Sequence, residues 1–275
     1  NAVKMQPDYL QSAHLHLLET SPVLQDMQNQ TLSRLLDEGT SCHWHKNIKD
    51  LLEACHHMPV IIYANEFFDA LPIRQYVQED NTWALRCVDA ADSELALVTL
   101  KDFTLKEILP AAHDFKHGDI LETTPEAETI MTQLTNYIAE YSGALLIIDY
   151  GYTQNQTGDT FQALSEHQTV SPFKNPGNAD LTAHVNFKRL ADIAEDASCR
   201  SLGPASQRNF LLSLGLEQRF ESLSLKANNQ QKTDLLAARN RLIGMDQMGI
   251  LFNVLAVTKK DATSPAGFEK IVRDV

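Results

Sequence analysis

Glycine is missing from the start of this sequence, where none occurs before Gly39. Cysteine is scarce: Cys42, Cys55, Cys87 and Cys199 are scattered, with no pair at CxxC spacing. That excludes a disulfide framework and a cysteine-built zinc site, and it fits free thiols in a reducing compartment. Basic residues are outnumbered, 23 against 36 acidic, for a formal net charge of −13. A nucleic-acid backbone would want a basic face, so the balance argues against that partner. A cationic ligand or a basic protein suits a negative field, although solubility is the plainer reason for it. No apolar run approaches the roughly 20 residues of a membrane span. The longest runs, at 60–64 and 144–148, are strand-sized. No secretory pattern, internal repeat or low-complexity linker is present. With 275 residues there is enough chain for one large domain with a buried core, or for a domain carrying insertions.

What is present is an alternation of strand and helix signals. Residues 15–18 read as a short strand ending at Glu19, and Ser21-Pro22 starts a helix that Gly39 stops. Leu24, Met27, Leu35 and Leu36 give that helix an apolar stripe. Residues 42–45 suit a short edge strand and 48–54 a weak helix. Val60-Ile61-Ile62-Tyr63-Ala64 has the unbroken hydrophobicity of a strand buried on both faces of a parallel sheet. Residues 73–100 predict a β-hairpin or meander, with Ile73, Gln75 and Val77 alternating against Arg74, Tyr76 and Gln78.

Thr124-Pro125 marks an N-cap and a first-turn proline, and helical spacing then runs from Ala127 through Met131, Leu134 and Ile138 to Gly143. Residues 144–148 form a second buried strand ending at Asp149-Tyr150-Gly151; helix followed by buried strand is the parallel α/β unit. The polar stretch 153–183 predicts a long loop of the kind that is functional or disordered. Asn186 caps a helix carrying Phe187, Leu190, Ile193 and Ala194. A short helix at 210–214, a longer one at 222–242 and an apolar strand at 250–257 complete the pattern.

Three apolar strands thus end in polar residues: Glu19, then Asn65-Glu66, then Asp149-Tyr150. In open α/β sheets ligands bind beyond the carboxyl ends of the strands, and converging polar side chains there make a small-molecule site. Glu19 can accept both ribose hydroxyls of a nucleotide-like ligand, or it can cap the helix after Ser21-Pro22. His43, His45, His56 and His57 raise the question of a metal, but no further ligand has sensible spacing and no metal site is expected.

Residues 64–72, reading Ala-Asn-Glu-Phe-Phe-Asp-Ala-Leu-Pro, closely resemble the signature of the MidA-like S-adenosylmethionine-dependent methyltransferases. That family includes bacterial proteins and a mitochondrial assembly factor of respiratory complex I. Residues 16–22, 148–152, 180–187 and 248–252 resemble further family segments, in the family's order, over nearly the whole chain. The resemblance implies an α/β fold built on a Rossmann-like seven-stranded methyltransferase sheet. It implies a single domain over 1–275, with a β-hairpin insertion at 73–101 and a loop-helical insertion region at 151–245. It also implies S-adenosyl-L-methionine as cofactor, with Glu19, Ser21, Asn65, Asp149 and Tyr150 on the cofactor side. Family members carry a first strand ending in a turn of the type E-x-G-x-G-x-G before the segment matched by 16–22. Residues 1–13 hold no glycine and the chain opens on Asn1, so that strand and turn are expected to fall outside it, leaving the domain N-terminally incomplete.

Methyl transfer from a sulfonium is an in-line displacement, in which the protein positions the nucleophile and keeps its lone pair available. The resemblance points to protein arginine as acceptor, and a guanidinium is always charged, so carboxylates should grip it in bidentate fashion. Glu66 is the first choice for that grip and Asp69 the second, with Asp149 also available and Asn65 beside the methyl. Asp69 is alternatively a plain turn residue after Phe68. His184 is either a proton acceptor or a pin for the loop before Asn186, and Tyr150 either stacks on adenine or packs. Asp180 shapes its loop by local hydrogen bonds. The hairpin edge within 83–100 offers a partner protein an exposed strand.

The expected partners are a protein substrate, by likeness a complex I subunit, and a second copy in a homodimer. The expected location is the bacterial cytoplasm, or the mitochondrial matrix were the source eukaryotic. A competing function is a non-catalytic assembly or binding factor that keeps the methyltransferase shape; Glu19, Glu66 and Asp149 favour the enzyme, the absent glycine turn the binder. A small-molecule methyltransferase is a third reading.

Overall fold

Alternating α and β segments dominate the structure, a computed structural model that describes residues 13–37, 41–91, 94–103, 109, 111, 114–165, 168–174 and 176–268. The expectation of a strandless, glycine-free opening over 1–13 lies, but for Ala13, outside the described residues. Strand β1 (His14–Leu18) leads through Glu19 into α1 (Pro22–Asp37), and β2 (Ser41–His45) returns in parallel to pair with β1. Helix α2 (Ile48–Ala54) follows, its N-terminus capped by the Asn47 side chain, and then β3 (Val60–Asn65).

The segment between β3 and the next parallel strand is antiparallel. Strands β4 (Arg74–Glu79), β5 (Thr82–Ala91), β6 (Glu94–Leu100) and β7 (Ile120–Thr123) form one sheet in the order β6-β5-β4-β7. The meander expected at 73–100 is present, and β7 extends it. Helix α3 (Pro125–Tyr141) begins on its proline, but Thr124 makes no side-chain cap bond; only the second half of that signal holds.

Strand β8 (Gly143–Tyr152) is the centre of the main sheet. It pairs in parallel with β3 and antiparallel with β14 (Phe252–Lys259) on its other side. Between them in sequence come β9 (Gln162–Ser165), β10 (Gln168–Val170) and β11 (Asp180–Thr182), which make a small sheet inside the stretch expected to be loop. They are followed by β12 (Val185–Asn186), α4 (Phe187–Asp196), β13 (Cys199–Ser206), α5 (Gln207–Ser213), α6 (Leu216–Ser224), α7 (Asn229–Ile243) and α8 (Met248–Leu251).

Three readings change here. Strand β13 went unforeseen because Gly203-Pro204 breaks its pattern; it pairs with β14 across an irregularity at that point. The single helix expected over 222–242 is two, since Asn228 starts α7 with a capping box to Gln231. Residues 250 and 251 belong to α8, so the last strand starts at Phe252.

Cores lie on both faces of the main sheet. Leu145, Ile147, Leu255 and Val257 pack with Ala127, Met131, Leu134 and Ile138 of α3 and with Phe187, Leu190, Ala191 and Ala194 of α4. The i, i+3, i+4, i+7 spacing of the α4 residues puts them on one stripe. Each fully buried large side chain of this kind contributes roughly 1.5–3 kcal/mol. Val254, Ala256, Leu146 and Ile148 face the other way, onto Leu202, Phe210 and Phe268. Strand β3 turns Val60, Ile62 and Ala64 into the first core, but Ile61 and Tyr63 are 84% and 63% exposed on the opposite side, so the burial expected on both faces holds on one. Leu18 and α2 pack on the same core as Ala64 and Phe68.

Candidate active site

Glu19 follows β1 directly, its N–H donating to the His45 carbonyl at 3.0 Å. Its half-buried carboxylate accepts the Ser21 N–H on Oε1 (2.9 Å) and the Gln28 amide on Oε2 (3.2 Å). Trp44 Nε1 donates to Gln28 Oε1 at 2.8 Å, so α1 and β2 together hold the acid in place. The capping reading of Glu19 is therefore realised, yet each oxygen keeps a lone pair for a diol. The ribose end of a nucleoside cofactor fits that acid. Ser21 itself spends its hydroxyl on the Leu24 N–H, 3.4 Å away, as helix cap. Gln28 and Trp44 carried no signal in the linear sequence.

At the end of β3 the chain turns sharply. Glu66 has φ 47°, a left-handed conformation that a glutamate rarely adopts, and its N–H donates to the Ile148 carbonyl at 2.9 Å. The Asn65 and Glu66 side chains are exposed and touch each other, Nδ2 to Oε1, at 3.4 Å. The next three N–H groups converge on one carboxylate: Phe67, Phe68 and Asp69 donate to Asp149 Oδ2 at 3.1, 3.0 and 3.3 Å. Tyr150 N–H takes Asp149 Oδ1 at 2.9 Å.

Asp149, expected on the cofactor and acceptor sides, faces inward. Its side chain is fully buried and both oxygens are taken by backbone, so it fastens the turn after β3 to the end of β8. Burial first, and the Asp69 charge second, push this carboxyl up to about 7, against the pull of the backbone N–H groups.

Asp69 is 5% exposed, and its backbone carbonyl accepts the Ala183 N–H at 3.0 Å, joining this turn to the segment after β11. Burial raises its carboxyl above the usual range, while the nearby Tyr150 hydroxyl opposes the rise. Tyr150 packs: its ring lies edge-on to His184 (5.6 Å) and to Phe252 (5.5 Å). The His184 N–H donates to Thr160 Oγ1 at 3.0 Å, and Thr160 is held by both oxygens of Glu122. Burial lowers the His184 imidazole, leaving it neutral near pH 7, with Glu122 opposing. Asn65, Glu66, Asp69, Asp149, Tyr150 and His184 thus meet around the ends of β3 and β8, while Glu19 follows β1 on the separate two-stranded sheet. On β1 and β2 the His16 ring stacks on His45 and lies tilted against His43, but among the described residues no group of three or more His, Cys, Asp or Glu could hold a metal ion.

Over residues 1–205 the sequence matches a family described as "Putative S-adenosyl-L-methionine-dependent methyltransferase". The chain belongs to that family. Within it, the chain is 30% identical over 281 residues to the protein arginine methyltransferase NDUFAF7 homolog, mitochondrial, of Caenorhabditis elegans, covering 92% of this chain and 64% of that protein. To the Danio rerio protein arginine methyltransferase NDUFAF7, mitochondrial, it is 32% identical, covering 88% of this chain and 60% of the relative. The chain therefore spans less than two thirds of the length of these curated relatives. In fold it is similar to a Burkholderia thailandensis protein crystallised with S-adenosyl-homocysteine, with a TM-score of 0.78 and 24% identity over 94% of this chain and 67% of that one.

Proposed function

We propose that the protein transfers the methyl group of S-adenosyl-L-methionine to a side-chain nitrogen of another protein, with arginine as the accepting residue. The observation that carries this reading is the Asp149 anchor, which sets the Asn65-Glu66 turn at the end of β3 beside β8. The names of the relatives, protein arginine methyltransferases, support the acceptor.

Bound there, the cofactor supplies a sulfonium-borne methyl group. Glu19 holds the ribose hydroxyls, kept in register by Gln28 and Trp44. Ser21 starts the helix behind it. Asn65 and Glu66 line the acceptor side, with Asp69 beneath them. Orientation would be the main contribution, because the acceptor nitrogen, on giving up its proton, needs only its lone pair held in line with the methyl. His184, neutral by burial, is a base that can receive the proton shed by the acceptor, directly or through water. The methyl-accepting partner to try first is a respiratory complex I subunit, and a homodimer is the proposed assembly. Scattered free cysteines agree with a reducing compartment, and the bacterial cytoplasm is the proposed location, although the named relatives are mitochondrial.

The test is calorimetry with S-adenosylmethionine, paired with a search for labelled methylarginine after incubation with labelled cofactor and cell protein. Binding that Glu19→Ala weakens by roughly tenfold or more, about 1.4 kcal/mol, together with methylarginine in the product, is the expected result. Binding without any methyl transfer would instead favour a non-catalytic assembly factor of the same fold. Label on a small molecule alone would favour a small-molecule methyltransferase.

A further inference from the structure

One set of buried polar atoms near the site has no protein partner. Asp69 Oδ1, Tyr150 OH and Thr182 Oγ1 are each sealed from solvent and form no hydrogen bond. The Tyr150 hydroxyl nevertheless lies close enough to Asp69 and to Thr182 to act as a weak, poorly aligned partner of each. Three different elements deliver these atoms: the turn after β3, the end of β8 and the end of β11. Asp69 and Tyr150 are only 5% and 7% exposed. Orphaned buried acceptors are rare in folded proteins, and each calls for an explanation.

Charge sharpens the point. Asp69 lies beside the Asp149 carboxyl and within the field of Asp180. Among the described residues, no lysine, arginine or histidine forms an ion pair with any of the three. Two buried carboxylates without a cation are costly, and the cost is relieved when a cation enters. Asp149 is the poorer host, because its oxygens already accept four backbone N–H groups. Asp69 Oδ1 is the better one.

We propose that Asp69, Tyr150 and Thr182 seat the cationic side chain that is methylated, Asp69 Oδ1 and the two hydroxyls receiving the N–H groups of a guanidinium. The assignment rests on the arginine reading above and moves the acceptor's grip from exposed Glu66 to buried Asp69. Acceptors converging from three strand ends suit a flat cation with five donors better than a compact ammonium. Entry requires the 66–69 turn to move, and that turn is fastened to β8 chiefly through the single carboxylate of Asp149.

Thermal melting with N-acetyl-arginine amide tests the seat, with N-acetyl-citrulline amide as the uncharged control. The arginine compound should raise the wild-type melting temperature and the citrulline compound should not. Asp69→Asn should abolish that response, melt above wild type on its own because a buried charge has gone, and bind S-adenosyl-homocysteine as wild type does. A merely structural Asp69 would instead lower the melting temperature when changed. Tyr150→Phe and Thr182→Val should each weaken the response, as independent checks on the two hydroxyls. No wild-type response, an equal response to citrulline, a response that survives all three variants, or an Asp69→Asn protein less stable than wild type would each overturn the proposal. Failure of methyl transfer with this response intact would sink the arginine-transferase reading alone.

Discussion

Asp149 shows how much one side chain can decide. Four N–H groups from two segments 80 or more residues apart in sequence, or adjacent to it, end on its two oxygens. Those bonds hold Glu66 in its left-handed turn. Deleting the carboxylate leaves several buried donors unsatisfied, each worth about 1–3 kcal/mol, with some recovery from removing a buried charge. Asp149→Ala is therefore expected to lower stability by roughly 2–4 kcal/mol, read as a lower urea midpoint. Asp149 was legible from the sequence as a polar residue at a strand end; its partners were not, because nothing local links residue 149 to residues 67–69. Glu19 is similar, in that its place could be read but the Gln28 and Trp44 contacts required α1 and β2 to be folded together.

Elements join through a few such contacts. Where α3 hands over to β8, Gly143 has φ 141°, and a Cβ there would meet the Val60 carbonyl oxygen at 2.3 Å. Gly143→Ala should separate the start of the parallel β3–β8 pair and cost about 1–3 kcal/mol, measurable by chemical denaturation. The β4–β7 sheet is bolted to the loop after β8 in a comparable way. Gln75 donates to Glu122 and Asp159, Arg86 donates to Asp159 at 2.6 Å, and Glu122 holds Thr160, whose hydroxyl receives the His184 N–H. Glu122→Ala should consequently speed amide exchange across 160–184 far more than it lowers the global melting temperature. Equal loosening everywhere would show that the network does not act locally. The hydrophobic periods of α3 and α4 made their inward faces readable in advance. The small strands of 162–182 were not readable, because their sheet is held by neighbours distant in sequence and not by a pattern of their own.

For the molecule as a whole, the buried acids set a pH trend. Asp149 is pushed from 3.8 to about 7, and Asp69 is also raised. A carboxyl with a raised folded pKa binds more protons folded than unfolded, so its contribution to stability is full below the unfolded value and is lost as pH climbs through the folded one. The melting temperature should therefore fall between about pH 4 and the region just above pH 7. Asp69→Asn should flatten that fall. Added salt should leave the slope largely in place, because a buried pair is poorly screened, whereas repulsion from the overall charge of −13 should fade. A slope that salt removes would assign the trend to surface charge.

Composition, hydrophobic period and the strand-end acids determined the α/β class and most of the strands and helices. These are local properties: a buried parallel strand must be apolar throughout, and it must end where polar residues begin. Only the tertiary structure decided which acid is free. Glu66 and Asp69 lie three residues apart on one turn, and Asp149 lies near the end of β8; all three read alike as carboxylates. Folding leaves Glu66 in solvent, surrounds Asp149 with backbone donors and buries Asp69 with an oxygen unpartnered. The distinction comes from desolvation and from contacts between segments far apart in the chain, neither of which is written at any single position.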